Sequence, residues 1–267
     1  MLSTIFRDPL SLTLAQVVVA ALAAIGIALL ARVRIPGVTR DVAIALARGA
    51  LQISLVGSVL LVMLRGPGWL SLLALGAMVL AAALTSSRRA RRVAGAFDMS
   101  LRAIAAGAGA TIAVMVLAGV VDTKVTTVVP VGSMLIAAAM NANTQALERF
   151  HAEVGAHRRL VEAALALGAS PEVSVAPYVQ SSFRASITPS IDNLRSLGIV
   201  WIPGLMTGMV LSGTPPLRAA LYQFVTIAMI FASASLTSFV ATTVVRQRSF
   251  STAEQLTIPP PAPAARG

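Results

Sequence analysis

The sequence predicts an all-α integral membrane protein of about seven transmembrane helices, and three observations predict it. Of the 267 residues, 57% are hydrophobic and 12% charged, about half the charged share of a soluble domain. Apolar runs of bilayer length, about 20 residues, recur along the chain between short polar gaps, giving a mean hydropathy of +0.83. Those gaps hold most of the 21 Lys and Arg, so the net charge of +11 marks membrane orientation. Aromatic residues, at 4%, are too scarce for base stacking, and nucleic acid is excluded as the reason for the basicity. With no cysteine there is no disulfide framework, thiolate metal site or cysteine nucleophile.

Leu10 to Ala31 is the first expected span. It is too long for a signal-peptide core, and Arg32-Val33-Arg34 after it lacks small-residue cleavage chemistry. A turn at Pro36-Gly37 leads to the second span, Val42 to Leu64, where Arg48 and Gln52 stand four residues apart on one face. Snorkelling accounts for Arg48, and a place on a transport path accounts for both. Beyond the turn Arg65-Gly66-Pro67-Gly68, Trp69 holds an interfacial anchor position and opens a third span ending near Ser86. Arg88 to Arg92 comes next, the densest basic cluster of the chain. Leu101 to Val121 is the fourth span, whose Gly107, Gly109 and Gly119 permit close helix packing. After Asp122-Thr123-Lys124, the fifth span runs from Val128 to about Leu147. It is entered through Pro130 and turns polar at Asn141, Asn143, Thr144 and Gln145, which read as interhelical hydrogen bonds before ligands.

A polar interval separates this span from the rest. Glu162 to Gly168 reads as a short helix stopped by glycine, and Ser170-Pro171-Glu172 as the N-cap, first-turn proline and early acid of another. Thr188-Pro189 reads as a second such pair opening a sixth helix, amphipathic at first through Asp192, Asn193 and Arg195 and interrupted at Pro203-Gly204. Gly204 and Gly208 then share one face. That face serves plain helix packing, or it lines a path or a dimer seam, with Met206, Thr207 and Met209 toward a solute. Ser212 to Arg218 is a turn, and Ala219 to Val245 the last span, with Tyr222 and Gln223 just inside its outer end. Residues 1–248 thus form the membrane domain. Residues 249–267, with Ile258-Pro-Pro-Pro-Ala-Pro, are expected to form a disordered tail. Seven spans put the termini on opposite sides. The positive-inside rule places the C-terminus in the cytoplasm, with Arg32 to Arg40, Arg88 to Arg102 and Arg149 to Arg195, and the N-terminus outside.

The order Glu162-Ala163-Ala164, three residues, Gly168 resembles the cytoplasmic coupling motif of ABC-transporter permeases, although an ordinary loop helix also carries such a pattern. The likeness extends toward the C-terminus. The residues Pro177-Tyr178, Ile187-Thr188-Pro189, Gly198, Pro203 through Gly208, Ser212 through Pro215 and Tyr222-Gln223 resemble the iron-export permease family, which includes plant aluminium-tolerance membrane subunits. The resemblance implies the permease subunit of an ABC exporter of iron or another metal ion in a bacterial plasma membrane. It implies a homodimer with two copies of a separate ATPase subunit, which bind the ATP and Mg. The coupling region, about 155–190, would touch that ATPase through Glu162, Ala163, Ala164, Gly168, Ser170 and Pro171, with Glu162 pairing a basic group there. Pro203, Gly204, Met206, Thr207, Gly208 and Met209, together with Arg48, Gln52, Asn141, Tyr222 and Gln223, would line the path or the dimer seam.

No catalytic triad, phosphate-binding Gly-Lys-Ser/Thr or zinc spacing is present, so neither enzymatic activity nor a cofactor of this chain's own is expected. His151 and His157 lie near Glu148 and Glu153, but a solvated helix face accounts for that spacing, and metal ligands stay unassigned. Spans without an acidic pair sit awkwardly with a bare iron ion. The alternative is a stand-alone secondary carrier or channel for a small solute. Carriers hold ionisable residues at mid-membrane, whereas Arg48 and Asp192 are expected nearer the ends.

Overall fold

The computed structural model describes residues 9–31, 37–63, 67–90, 93 and 95–258. The expected turn residues Arg32, Arg34, Pro36, Arg65 and Gly66, and the basic Arg91 and Arg92, lie outside these. Two compact units divide the chain, Met1–Gly66 and Pro67–Gly267. In the first, α1 (Pro9–Ala31) packs on α2 (Val38–Met63). Gly37, at φ +92°, turns the chain between them, and Thr39 Oγ1 donates to Ala28 O at 3.2 Å.

The second unit begins with α3 (Leu70–Arg89) and α4 (Ala96–Ile104), which continues through a π-turn (Ala105–Gly109) into α5 (Ala110–Leu117). Then come α6 (Val125–Ala156), α7 (Arg158–Ala166), α8 (Pro171–Ser196), α9 (Gly204–Leu211) and α10 (Pro216–Arg248). Helix α6 is central, packing on α3, α8 and α10, and α10 also packs on α4, α8 and the π-turn. Small and hydroxylated residues make these contacts. The buried face of α10 includes Ala219, Thr226, Ser233, Ala234, Thr237 and Ala241, which let backbones approach without a large apolar core.

Among the described residues six helices are long and apolar enough to cross a bilayer: α1, α2, α3, the α4–α5 rod, α6 and α10. Three sequence expectations need correction here. No helix opens at Thr188-Pro189, because α8 starts at Pro171 and runs unbroken through Pro177 and Pro189. Thr188 Oγ1 donates to Arg184 O of its own helix at 2.7 Å instead of capping a new one. The fifth span continues well past Leu147 to Ala156, with Pro130 inside the helix. Gly119 serves as the left-handed residue that ends α5, at φ +68°, and only Gly107 of that span's three glycines makes a close approach.

Asn143 is the hydrogen-bonding glue that its position suggests. Its Nδ2 donates to Ser86 Oγ at 2.7 Å and Ser100 Oγ at 2.8 Å, joining α6 to α3 and α4, while the Ser86 and Thr144 hydroxyls pair at 2.8 Å. All four side chains are buried. Asn143→Ala is expected to cost about 1–2 kcal/mol, the loss of two interhelical bonds, and to lower the thermal unfolding midpoint of the detergent-purified protein. An unchanged midpoint would show that the network contributes nothing.

At the end of the bundle carrying Arg88, Arg149 and Arg246, an apolar cluster gathers Met99, Leu147, Phe150, Val154, Val161 and Val175. Leu256 and Ile258 complete it, which corrects the expected disorder of the tail over 249–258; residues 259–267 lie outside the described ones. A turn folds this strap back. Thr257 N donates to Ser249 O and Ser251 N to Gln255 O, each at 2.9 Å, with Phe250 and Leu256 paired across it.

Candidate functional site

Helix α7 is a short rod seated on that cluster. Val161 is buried and Leu165 partly so, on the inward face. The opposite face carries Leu160, Ala163, Ala164 and Leu167 at i, i+3, i+4 and i+7, so they line up along one side. Leu160 is 63% and Leu167 89% exposed, an apolar ridge offered outward. The helical spacing of the ridge is a sequence signal, but the glycine stop of Glu162 to Gly168 overshadows the two flanking leucines. Gly168, at φ +88°, closes the helix: its N–H reaches Leu165 O and that of Ala169 reaches Ala164 O, both at 3.0 Å. Ser170 caps α8 by accepting from Val173 N, with Pro171 in the first turn.

Glu162, expected to pair a basic group of an ATPase, also has a partner on its own helix. Its Oε1 takes Arg158 Nε at 2.7 Å, one turn back on α7. Arg158 Nη1 also donates to Ile258 O at 2.6 Å, so one guanidinium ties α7 to the strap. Between them lies an open groove of about 740 Å³, bordered by Glu162, Gly168 and Ser170 on one side and Ala253 to Leu256 on the other. His157 stays exposed and stacks on Tyr178, ring centroids 5.2 Å apart. Among the described residues no three of His, Asp and Glu gather as metal ligands.

The second group of candidates meets at the opposite end. Pro203 is buried at the N-cap of α9, and Gln223 Oε1 of α10 accepts from Met206 N at 3.2 Å. Gln223 thus satisfies one of the donors that a helix start leaves open, a positioning task. Among the described residues nothing lies within 4 Å of where a Cβ at Gly204 or Gly208 would stand, so none of them packs on that shared face. Thr207 is exposed. Met209 and Tyr222 line a cleft of about 760 Å³ with Pro130, Asp122 and Arg218. Lys124 faces Asp122 at 3.0 Å, and hydrogen bonds from its side chain and backbone hold that carboxyl below its ordinary range. Asn141 is exposed near the middle of α6; Arg48 and Gln52 are exposed on α2, in the other unit.

A chain whose described elements are helices, six of them bilayer-length and apolar, with polar and small residues packing the bundle, is a polytopic helical membrane protein. It belongs to the family described as "Uncharacterised protein family (UPF0014)", which matches residues 13–250. Among relatives, it is 33% identical to the UPF0014 membrane protein STAR2 of Oryza sativa subsp. japonica, over 77% of this chain and 73% of that protein. Identity to the probable iron export permease protein FetB of Escherichia coli is 29%, over 82% and 85%. Protein ALUMINUM SENSITIVE 3 of Arabidopsis thaliana is 31% identical over 79% and 78%. No solved structure matches the chain.

Proposed function

We propose that this chain is the membrane subunit of an ABC exporter for iron or another metal ion, acting as a homodimer in a bacterial plasma membrane. Two copies of a separate ATPase, which hold the ATP and Mg, would dock on α7. The observation that carries this reading is the ridge of α7: two exposed leucines around Ala163 and Ala164, on a rigid helix with a sharp glycine exit. Such a face fits a cleft, and its inward face bears on Phe150 and Val175 of α6 and α8, so a pull on α7 reaches long helices. The basic residues around it favour a cytoplasmic position, with the C-terminus inside and the N-terminus outside. The relative named as an iron export permease supplies direction and cargo.

The test is a pull-down of tagged chain from its native membrane, wild type beside Glu162→Ala/Gly168→Leu. Wild type is expected to bring an ATP-binding subunit and the double variant to lose it. Neither bringing one, with transport by the chain alone in proteoliposomes without ATP, would favour a stand-alone carrier and end the ABC reading.

A further inference from the structure

Helix α8 is too polar to count as a span by composition, yet its hydrogen bonds set its second half alongside the middle of α10, one of the apolar helices of bilayer length. Ser186 Oγ donates to Ser238 Oγ at 2.9 Å, and beyond α8 Met206 N meets Gln223 Oε1 at 3.2 Å, so α8 and α9 climb alongside α10 in the opposite direction. Six residues beyond Ser186 is Asp192, and six residues back from Ser238 is Ala232, the middle of α10; both steps are about 9 Å. Asp192 therefore stands level with the middle of α10, four residues before α8 ends.

At that level Asp192 Oδ1 and Arg195 Nη1 stand 3.6 Å apart, with 60% and 78% of their side chains exposed. They close a stripe of exposed residues, Gln180, Arg184, Thr188, Asp192 and Arg195, spaced by four and then three along one face. The opposite face, with Ser182 and Ser186, is buried in the bundle. Charges at the centre of a bilayer do not face lipid, and helix seams in membranes favour small residues such as the uncovered Gly204 and Gly208. What remains for a charged, unbroken stripe is water.

We propose that this face of α8 is a wall of the translocation path, with the Asp192–Arg195 pair at its midpoint, and that it takes a hydrophilic solute, such as a hydrated or chelated ion, rather than an apolar one. The inference rests on the chain being a transport subunit. The pair is neutral as a unit, so removing one member changes the charge that the wall presents beside Thr188.

The chain has no cysteine, so a single Thr188→Cys reports on the face without background. Membrane vesicles holding the full chain would be treated with anionic sulfonatoethyl and cationic trimethylammonioethyl methanethiosulfonates. Both are expected to modify Thr188→Cys readily, and Phe239→Cys, exposed on α10 beside Ser238, far more slowly than lipid-permeant N-ethylmaleimide does. Adding Asp192→Asn is expected to raise the anionic-to-cationic rate ratio about threefold or more, and Arg195→Gln to lower it as much, from one unit charge about 6 Å away in water. Asp192→Glu and Arg195→Lys are expected to keep the wild-type ratio, which separates charge from misfolding. Modification by N-ethylmaleimide alone, disulfide cross-linking of Thr188→Cys between copies without aqueous labelling, or a ratio indifferent to both charge changes would each overturn the proposal. The labelling needs no ATPase. Loss of ATPase co-purification with labelling intact sinks only the ABC reading, and the reverse sinks only this one.

Discussion

Gly107→Ala is expected to destabilise the purified protein by about 3 kcal/mol or more, the upper end of the cost of forcing a methyl group into filled space. A Cβ at position 107 would run into Thr237 Oγ1 and stand 2.7 Å from Thr237 N and 2.9 Å from Ser233 O. The hydroxyl can rotate away. The other two atoms belong to the backbone of α10, so relief requires the helices to part. The π-turn presses its own backbone against α10 at this point, and Thr111 Oγ1 satisfies Gly107 O at 2.7 Å. Gly109, two residues on, faces open space, and Gly109→Ala is the matched control, expected within about 0.5 kcal/mol of wild type. Thermal unfolding of the two variants in detergent decides the matter. Equal midpoints would mean that α10 does not approach the π-turn as closely as described.

Much of this bundle is legible in the sequence because bilayer solvent makes one rule dominant: an apolar run of sufficient length becomes a helix. Gly168 and Ser170-Pro171 are legible for a different reason, since backbone sterics and cap chemistry are local and need no tertiary partner. Local rules fail where the bundle overrides them. Pro189 has the signature of a helix start, but α6 and α10 hold α8 along its length, and Thr188 turns its hydroxyl to its own helix. The level of Asp192 along α10 is outside local reasoning for the same cause: the position of a polar helix in a bundle is set by what it packs on, which composition does not reveal. In the tail the prolines outweigh Leu256 and Ile258, whose alternation is the available sign of an extended, half-buried segment.

Ile258→Asp is expected to release the strap and loosen α7 while leaving the long helices in place. Ile258 is buried among the residues that also seat Val161 and Val175, and its carbonyl receives Arg158. The cation beside it, Arg158, is already committed to Glu162 and to the carbonyl of residue 258, so a carboxylate there costs less outside the cluster than buried in it. Departure takes Leu256 with it. Exposing those two apolar side chains removes about 3 kcal/mol of burial, which corresponds to roughly a hundredfold shift toward the open strap. Helix α7, with nine residues, is too short to persist in water without its seat. Trypsin cleavage at Arg158 and Arg159 of the detergent-purified protein is therefore expected to accelerate by about tenfold or more, while Ile258→Leu cleaves as wild type does. If α7 is the docking helix, the same Ile258→Asp variant also loses its ATPase in the pull-down, although no residue of the ridge has changed. Unaltered cleavage would show that α7 stands without the strap, and Arg158 would then have only Glu162 to hold.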